Sequence, residues 1–286
     1  MSIQNMDQPT LWNYFDASLA RRRCVKYRRR ILDVSQHVSA LHIAPAFSCL
    51  EIVDCIYHEL MRPAGTGQSI DSFLMSKGHG CMAQYAILED IGVLPQGELD
   101  RYCTAKGLLG AHPDYGCPGI EAATGALGHG LAMALGMAIA ERNLTRKGAP
   151  VPVIYTVLSD GEMQEGSTWE ALMMASSLGV SNIVAVIDNN DFQSLGRTSE
   201  THPTFYPLGE KLAAFGWEVA EINGHDAEAL HNCVRMREGR KPFVVVAKTV
   251  KGKGVQFMEN VPIWHYRSPN PEEYRLALAN LMEVSS

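Results

Sequence analysis

Continuous apolar runs in the second half of this 286-residue chain constrain it most. Val153–Leu158 (VIYTVL), Ile183–Ile187 (IVAVI) and Phe243–Lys248 (FVVVAK) show no polar alternation, and Trp217–Ile222 adds a fourth strand candidate. Between them the pattern predicts helices over Ser167–Leu178, around Lys211–Phe215 and over Asp226–Glu238, the last opened by Asp226 as N-cap. Strands without a polar face, alternating with helices, predict an α/β fold: a parallel sheet flanked by helices on both faces. Such sheets bind ligands outside the carboxyl ends of their strands. The chemistry is therefore expected just after Leu158, Ile187 and Lys248.

The first half is less regular. Residues 11–62 read as mostly helical, with Ile52, Val53, Ile56 and Leu60 at helical spacing. Ser76–Gly80 and Gly107–Gly119 read as loops, Met82–Ile91 as a helix, and Gly125–Glu141 as a helix rich in small residues. The expected organisation is one domain over 1–286, with a helical extension at about 1–35. A dense basic run (Arg21, Arg22, Arg23, Lys26, Arg28, Arg29, Arg30) is punctuated by Leu19, Val25, Ile31 and Leu32, which favours a solvated helix face over a nucleic-acid patch. A net charge of −6 also argues against nucleic acid as the main partner. No stretch approaches the roughly 20 apolar residues of a membrane span, and no apolar leader is visible at the N-terminus. The seven cysteines are scattered without a CxxC pair, as expected of reduced thiols in a cytoplasmic protein.

All three expected strand ends carry suggestive residues: Ser159-Asp160-Gly161-Glu162, Asp188-Asn189-Asn190-Asp191-Phe192, and Thr249-Val250-Lys251-Gly252-Lys253-Gly254. Asn190 follows Asp160 by 30 positions (190 − 160), at the next strand end. A carboxylate, an amide oxygen and a backbone carbonyl can hold a hard divalent cation whose shell is completed by phosphate oxygens. A glycine amide and a nearby helix N-terminus suit the anion. The bland alternative is two ordinary turns.

The same spacing, with SKGHG (Ser76–Gly80), GAHPD (Gly110–Asp114), residues 119–142, SDGEMQEGSTWEA (Ser159–Ala171), VIDNNDFQSLG (Val186–Gly196) and VKGKGVQFMEN (Val250–Asn260), resembles the transketolase family over about residues 30–275. The resemblance implies the thiamine-diphosphate-binding fold, with thiamine diphosphate and Mg2+ as cofactors and Ca2+ or Mn2+ as alternative ions. Asp160 and Asn190 match the family's metal pair, and Phe192 matches the residue giving a carbonyl. Gly161 and Glu162 fall on the diphosphate side, while Gly125 and Leu127 match backbone contacts to the pyrimidine side. His79 and His265 match histidines near the diphosphate and the reacting centre, and His42 and His112 match channel histidines. Glu165 and Glu170 match acids at the subunit interface. One histidine is usually structural; four on four family positions are poorly explained that way.

Departures bear on the substrate. Ser159 replaces a glycine, which leaves Asp160 intact. His129 stands where relatives often carry glutamine. Leu41, Ile43, Ala44 and Pro45 crowd His42, and Tyr266 follows His265 where glycine or histidine is common. The family's cofactor-activating glutamate and most of its substrate-phosphate arginines belong to a second, pyrimidine-binding domain. Since the sequence stops at Ser286, the expectation is the N-terminal subunit of a split transketolase. It would act in a two-plus-two heterotetramer with a pyrimidine-binding partner, on sugar or sugar-phosphate substrates, moving a two-carbon ketol unit from a ketose to an aldehyde. Alternatives are an acyloin-forming enzyme using a 2-oxo acid such as pyruvate, a sugar-phosphate synthase on the same scaffold, or a non-catalytic scaffold subunit.

Overall fold

The computed structural model describes residues 15–38, 41–65 and 68–283. The parallel sheet has five strands: β1 (Ser72–Met75), β2 (Ile154–Ser159), β3 (Ile183–Asn189), β4 (Glu218–Asn223) and β5 (Phe243–Lys248), in the order β1-β2-β3-β5-β4 with every neighbouring pair parallel. Four strands sit within two residues of their expected places. β1 was not anticipated, because its four residues are too few to show a period. Side chains alternate between two cores. Phe73, Met75, Tyr155, Val157, Val184, Val186 and Val245 face one; Leu74, Ile154, Leu158, Ile183, Ala185, Ile187 and Val246 face the other.

The first core is covered by α1 (Ala17–Ser35), α2 (Ile43–Cys55), α3 (Cys81–Asp90), and, later in the chain, α7 (Ala227–Met236) and α8 (Pro271–Glu283). The second is covered by α4 (Gly130–Leu144), α5 (Gly166–Ser177) and α6 (Leu208–Ala214). The expected cap is present: Asp226 Oδ1 accepts from Ala229 N at 2.9 Å, which meets one of the unpaired amides of the first turn of α7. Helix α4 starts later than its composition suggests. Gly125 (φ +124°) and Gly128 (φ +84°) occupy a region closed to other residues and to the helix, so residues 125–129 form a loop instead.

Helix α1 bears out a solvated face for part of the basic run and refines it for the rest. Asp16 caps it through Leu19 N at 2.9 Å, and Cys24, Tyr27, Ile31 and Leu32 enter the core. Arg21, Arg22, Lys26 and Arg29 are exposed, while Arg23, Arg28 and Arg30 are drawn into ion pairs with the body of the domain. Arg23 pairs with Asp54 and Glu59, both at 2.8 Å. Arg28, buried, pairs with Glu51 at 2.6 Å. Arg30 pairs with Glu89 at 2.8 Å and Asp100 at 2.6 Å, and Lys26 with Asp90. The acids come from α2, α3 and the turns after them, dozens of residues away, so no local pattern announces them. Among the described residues no helix is long and apolar enough to cross a membrane, and all seven cysteines are free.

Candidate active site

The carboxyl ends of β1, β2, β3 and β5 deliver the site. Asp160, immediately after β2, is fully buried. Its carboxylate accepts from Gly161 N at 2.9 Å and from Asp191 N. Despite both amides, burial and the neighbouring Asp188 push its carboxyl up to about 7. An ionised Asp160 therefore lacks a full counter-charge from the protein, which is what a cation ligand needs. Asn190 Oδ1 accepts from Phe192 N at 3.0 Å, closing a turn that brings the Asn190 amide and the Phe192 backbone to Asp160. Gly161 faces the same turn: a Cβ there would lie 3.2 Å from Gln193 Cβ and 3.5 Å from the Phe192 carbonyl oxygen. Among the described residues no group of three or more His, Cys, Asp or Glu is placed to hold a metal. An ion here would rely on Asp160, an amide oxygen and a carbonyl, with further oxygens from a ligand.

Four histidines extend from this point. The rings of His79 and His265 are 5.4 Å apart. His42 touches both, at 6.0 and 5.4 Å, and also His112 at 5.5 Å. Burial, together with neighbouring cations and imidazoles, lowers all the pKa values: His42 to about 4, His265 to about 3, His79 well below the usual value, and His112, by burial alone, downward. The cluster is thus neutral at neutral pH, each ring offering one donor and one acceptor. His42 Nδ1 is buried with no hydrogen-bond partner. A buried polar atom left so is costly unless a ligand completes it.

Loops complete the cleft, an open volume of about 490 Å³ lined by His79, His265, Leu127, Gly161, Glu165 and Phe192, among others. Gly125 lets the His112 ring approach, since a Cβ would meet its Cγ at 2.8 Å. Glu162 is buried behind the cleft; its Oε1 accepts from Ser76 Oγ and from Gly128 N at 3.0 Å, tying three loops together. Glu165 is exposed at the rim against Gly128, and Glu170 is exposed further along α5. The fold thus gathers Asp160, Gly161, Glu162, Asn190, Phe192, Gly125, Leu127, Glu165 and the four histidines, while Glu170 stands apart on the surface.

Two features escaped the motif reading. Lys77, fully buried within SKGHG, pairs with Asp188 at the end of β3 and donates to Pro45 O at 3.1 Å. Asp188 also accepts from Ser48 Oγ at 2.7 Å, Asn190 Nδ2 at 3.1 Å and Thr249 Oγ1. This closed network fixes the orientation of the Asn190 amide. Lys251, after β5, contacts His265 Nδ1 at 2.9 Å and donates to Ser194 O at 2.9 Å. Burial and Lys77 lower its pKa to about 8, which leaves it mostly charged at neutral pH. His265 Nδ1 must then accept, so its Nε2 carries the proton. The usable signal for Lys251 was position, since it follows the expected end of β5; Lys77 follows β1, which the sequence did not disclose.

Comparisons with known proteins agree with this geometry. The family model described as transketolase, thiamine diphosphate binding domain, matches residues 20–267. The chain is similar to an apulose-4-phosphate transketolase subunit of Phocaeicola vulgatus, 35% identical over 265 residues that cover 90% of this chain and 92% of that one. It is also similar to a 6-deoxy-6-sulfo-D-fructose transketolase subunit of a Clostridium species, 35% identical over 260 residues, 89% and 93% of the two chains. Among solved structures, transketolase from Campylobacter jejuni superposes with a TM-score of 0.84 at 23% identity, over 94% of this chain and 43% of that one. The last comparison speaks to the fold alone.

Proposed function

The chain belongs to the transketolase thiamine-diphosphate-binding-domain family, and from that premise we propose that it is the diphosphate-binding subunit of a two-chain, transketolase-type transferase. It would move a two-carbon ketol unit from a ketose or ketose phosphate to an aldehyde, with a pyrimidine-binding partner chain completing the site. The observation that carries this reading is the convergence of a buried, under-compensated Asp160, Asn190 and Phe192 with four neutral histidines at the carboxyl edge of the sheet. The names of the relatives that match this chain over nearly their whole length support its place as one of two chains, and the free cysteines suit a cytoplasmic setting.

In this proposal Asp160, the Asn190 amide oxygen and the Phe192 carbonyl hold Mg2+, or Ca2+ or Mn2+ in its place. The Gly161 amide, His79 and the Nε2–H of His265 meet diphosphate oxygens. Gly125 and Leu127 present backbone to the pyrimidine side. The bound cofactor supplies a nucleophilic carbon and an electron sink. His42 and His112, neutral and beside that region, hold substrate hydroxyls and move protons between them. Glu165 and Glu170 face outward on one side, where an interface with other subunits would cover them.

The test is co-expression with the candidate partner, followed by turnover assays with ketose phosphates and with pyruvate as donors. Ketol transfer by the pair and none by either chain is expected. Full turnover by this chain alone overturns the two-chain reading, and exclusive use of pyruvate selects the acyloin-forming alternative. A pair that binds the cofactor and turns over no donor selects the scaffold alternative.

A further inference from the structure

The proposed reaction does not account for Tyr266. It ends the turn Pro262–Tyr266 that also carries His265. Its ring lies 4.4 Å from His42 at 41°, the shortest ring separation in the cluster. His42 touches His79 and His265, which line the cleft beside Gly161, and Tyr266 packs on His42. The tyrosine thus lies from the His265 turn across the His42 ring. The other side of His42 is no roomier: Leu41, Ile43 and Ala44 are fully buried in the core. Tyr266 itself is half exposed (50%), so it forms the outer layer of the cluster and not part of the fold's interior.

We propose that Tyr266 is the specificity-determining residue of this site, a stop across the outer end of the histidine channel that favours short aldehyde acceptors over long, phosphorylated ones. The inference rests on the transferase reading above. A short acceptor ends before the ring. A five-carbon acceptor must displace the ring or bend around it, and that cost appears in the affinity of the long acceptor and not in the chemistry. Van der Waals exclusion of this kind is worth roughly tenfold to a few hundredfold in discrimination.

The experiment uses the two-chain complex with hydroxypyruvate as donor. Each turnover loses carbon dioxide from the donor and joins the remaining two carbons to the acceptor's aldehyde carbon. Glycolaldehyde serves as the short acceptor and ribose 5-phosphate as the long one. Tyr266→Ala and Tyr266→Gly are expected to raise the ratio of kcat/KM for ribose 5-phosphate to that for glycolaldehyde by roughly tenfold or more, through KM. Tyr266→Phe, which keeps the ring, is expected to move it less than about threefold. A ratio within twofold of wild type in both small variants, with cofactor affinity intact by calorimetry, overturns this inference and leaves the transferase reading standing. A wild-type complex that binds cofactor yet turns over neither acceptor overturns the transferase reading, and this one with it.

Discussion

Two regions of this molecule are dense in charge, and they are built on opposite plans. Along α1, the cations on the inner side find acids of the same chain: Arg23 with Asp54 and Glu59, Arg28 with Glu51, Arg30 with Glu89 and Asp100. At the strand ends, Asp160 is buried with backbone amides but no full counter-charge, while His42 Nδ1 and Glu162 Oε2 have no partner. The difference teaches how to tell structure from function in a charged cluster. Where the charges close among themselves, they hold elements together. Where a buried group is left uncompensated, some other molecule is needed to complete it.

The largest effect should come from opening the closed cluster. Arg28 donates to Lys253 O at 2.9 Å and Phe47 O at 3.2 Å as well as to Glu51. Arg28→Leu would strand Glu51 and both carbonyls, at about 3–5 kcal/mol. Urea unfolding measures this, and a loss below about 1 kcal/mol would show that α1 is not held by its charges. The converse change sharpens the contrast. Asp160→Ala should weaken Mg2+-dependent thiamine diphosphate binding by roughly 100-fold or more, yet leave the ligand-free protein no less stable, because it removes an under-compensated buried carboxylate. Calorimetric titration and scanning calorimetry on one preparation read both quantities. If affinity and stability fall together, Asp160 is a structural residue and the contrast collapses. A different effect is expected at His42: His42→Ala in the complex should lower kcat roughly 100-fold while cofactor affinity stays within twofold. A parallel loss of cofactor affinity would move His42 out of the channel and into the cofactor's own contacts.

What the sequence disclosed follows from the same physics. Strands β2, β3 and β5 were legible because both of their faces are buried, and a doubly buried strand must be apolar throughout. Asp160 and Asn190 were legible because strand ends are where such sheets bind ligands. Strand β1 was too short to read, and residues 125–129 looked helical until Gly125 and Gly128 proved to need positive φ. The pairs of α1 and the Lys77–Asp188 contact were hidden for another reason. Lys77 and Asp188 are 111 positions apart, and only the folded chain brings them together. The histidines were found through family motifs, not spacing; nothing local in His42, His79, His112 and His265 says that their rings pack into one cluster.

The mildest test asks whether a closed cluster can be loosened by protons alone. Burial by itself would raise the Glu51 carboxyl, but Arg28 and the hydrogen bond from His225, at 3.0 Å, outweigh it and hold the pKa down at about 2. In the unfolded chain a glutamate titrates near 4.3. A depressed folded pKa means that the unfolded state binds the extra proton between those values, so the stabilisation is present above about 4.3 and is lost as pH falls toward 2. Glu51→Gln removes the titration while keeping an acceptor for Arg28. At pH 7 the variant should be less stable than wild type by about 1–2 kcal/mol, and the gap should narrow steadily from about pH 4.3 downward. Paired denaturant titrations at several acid pH values measure it. A gap that is constant with pH would mean that Glu51 acts by packing and hydrogen bonding, not by charge, and that the closed cluster of α1 is held by shape as much as by its ions.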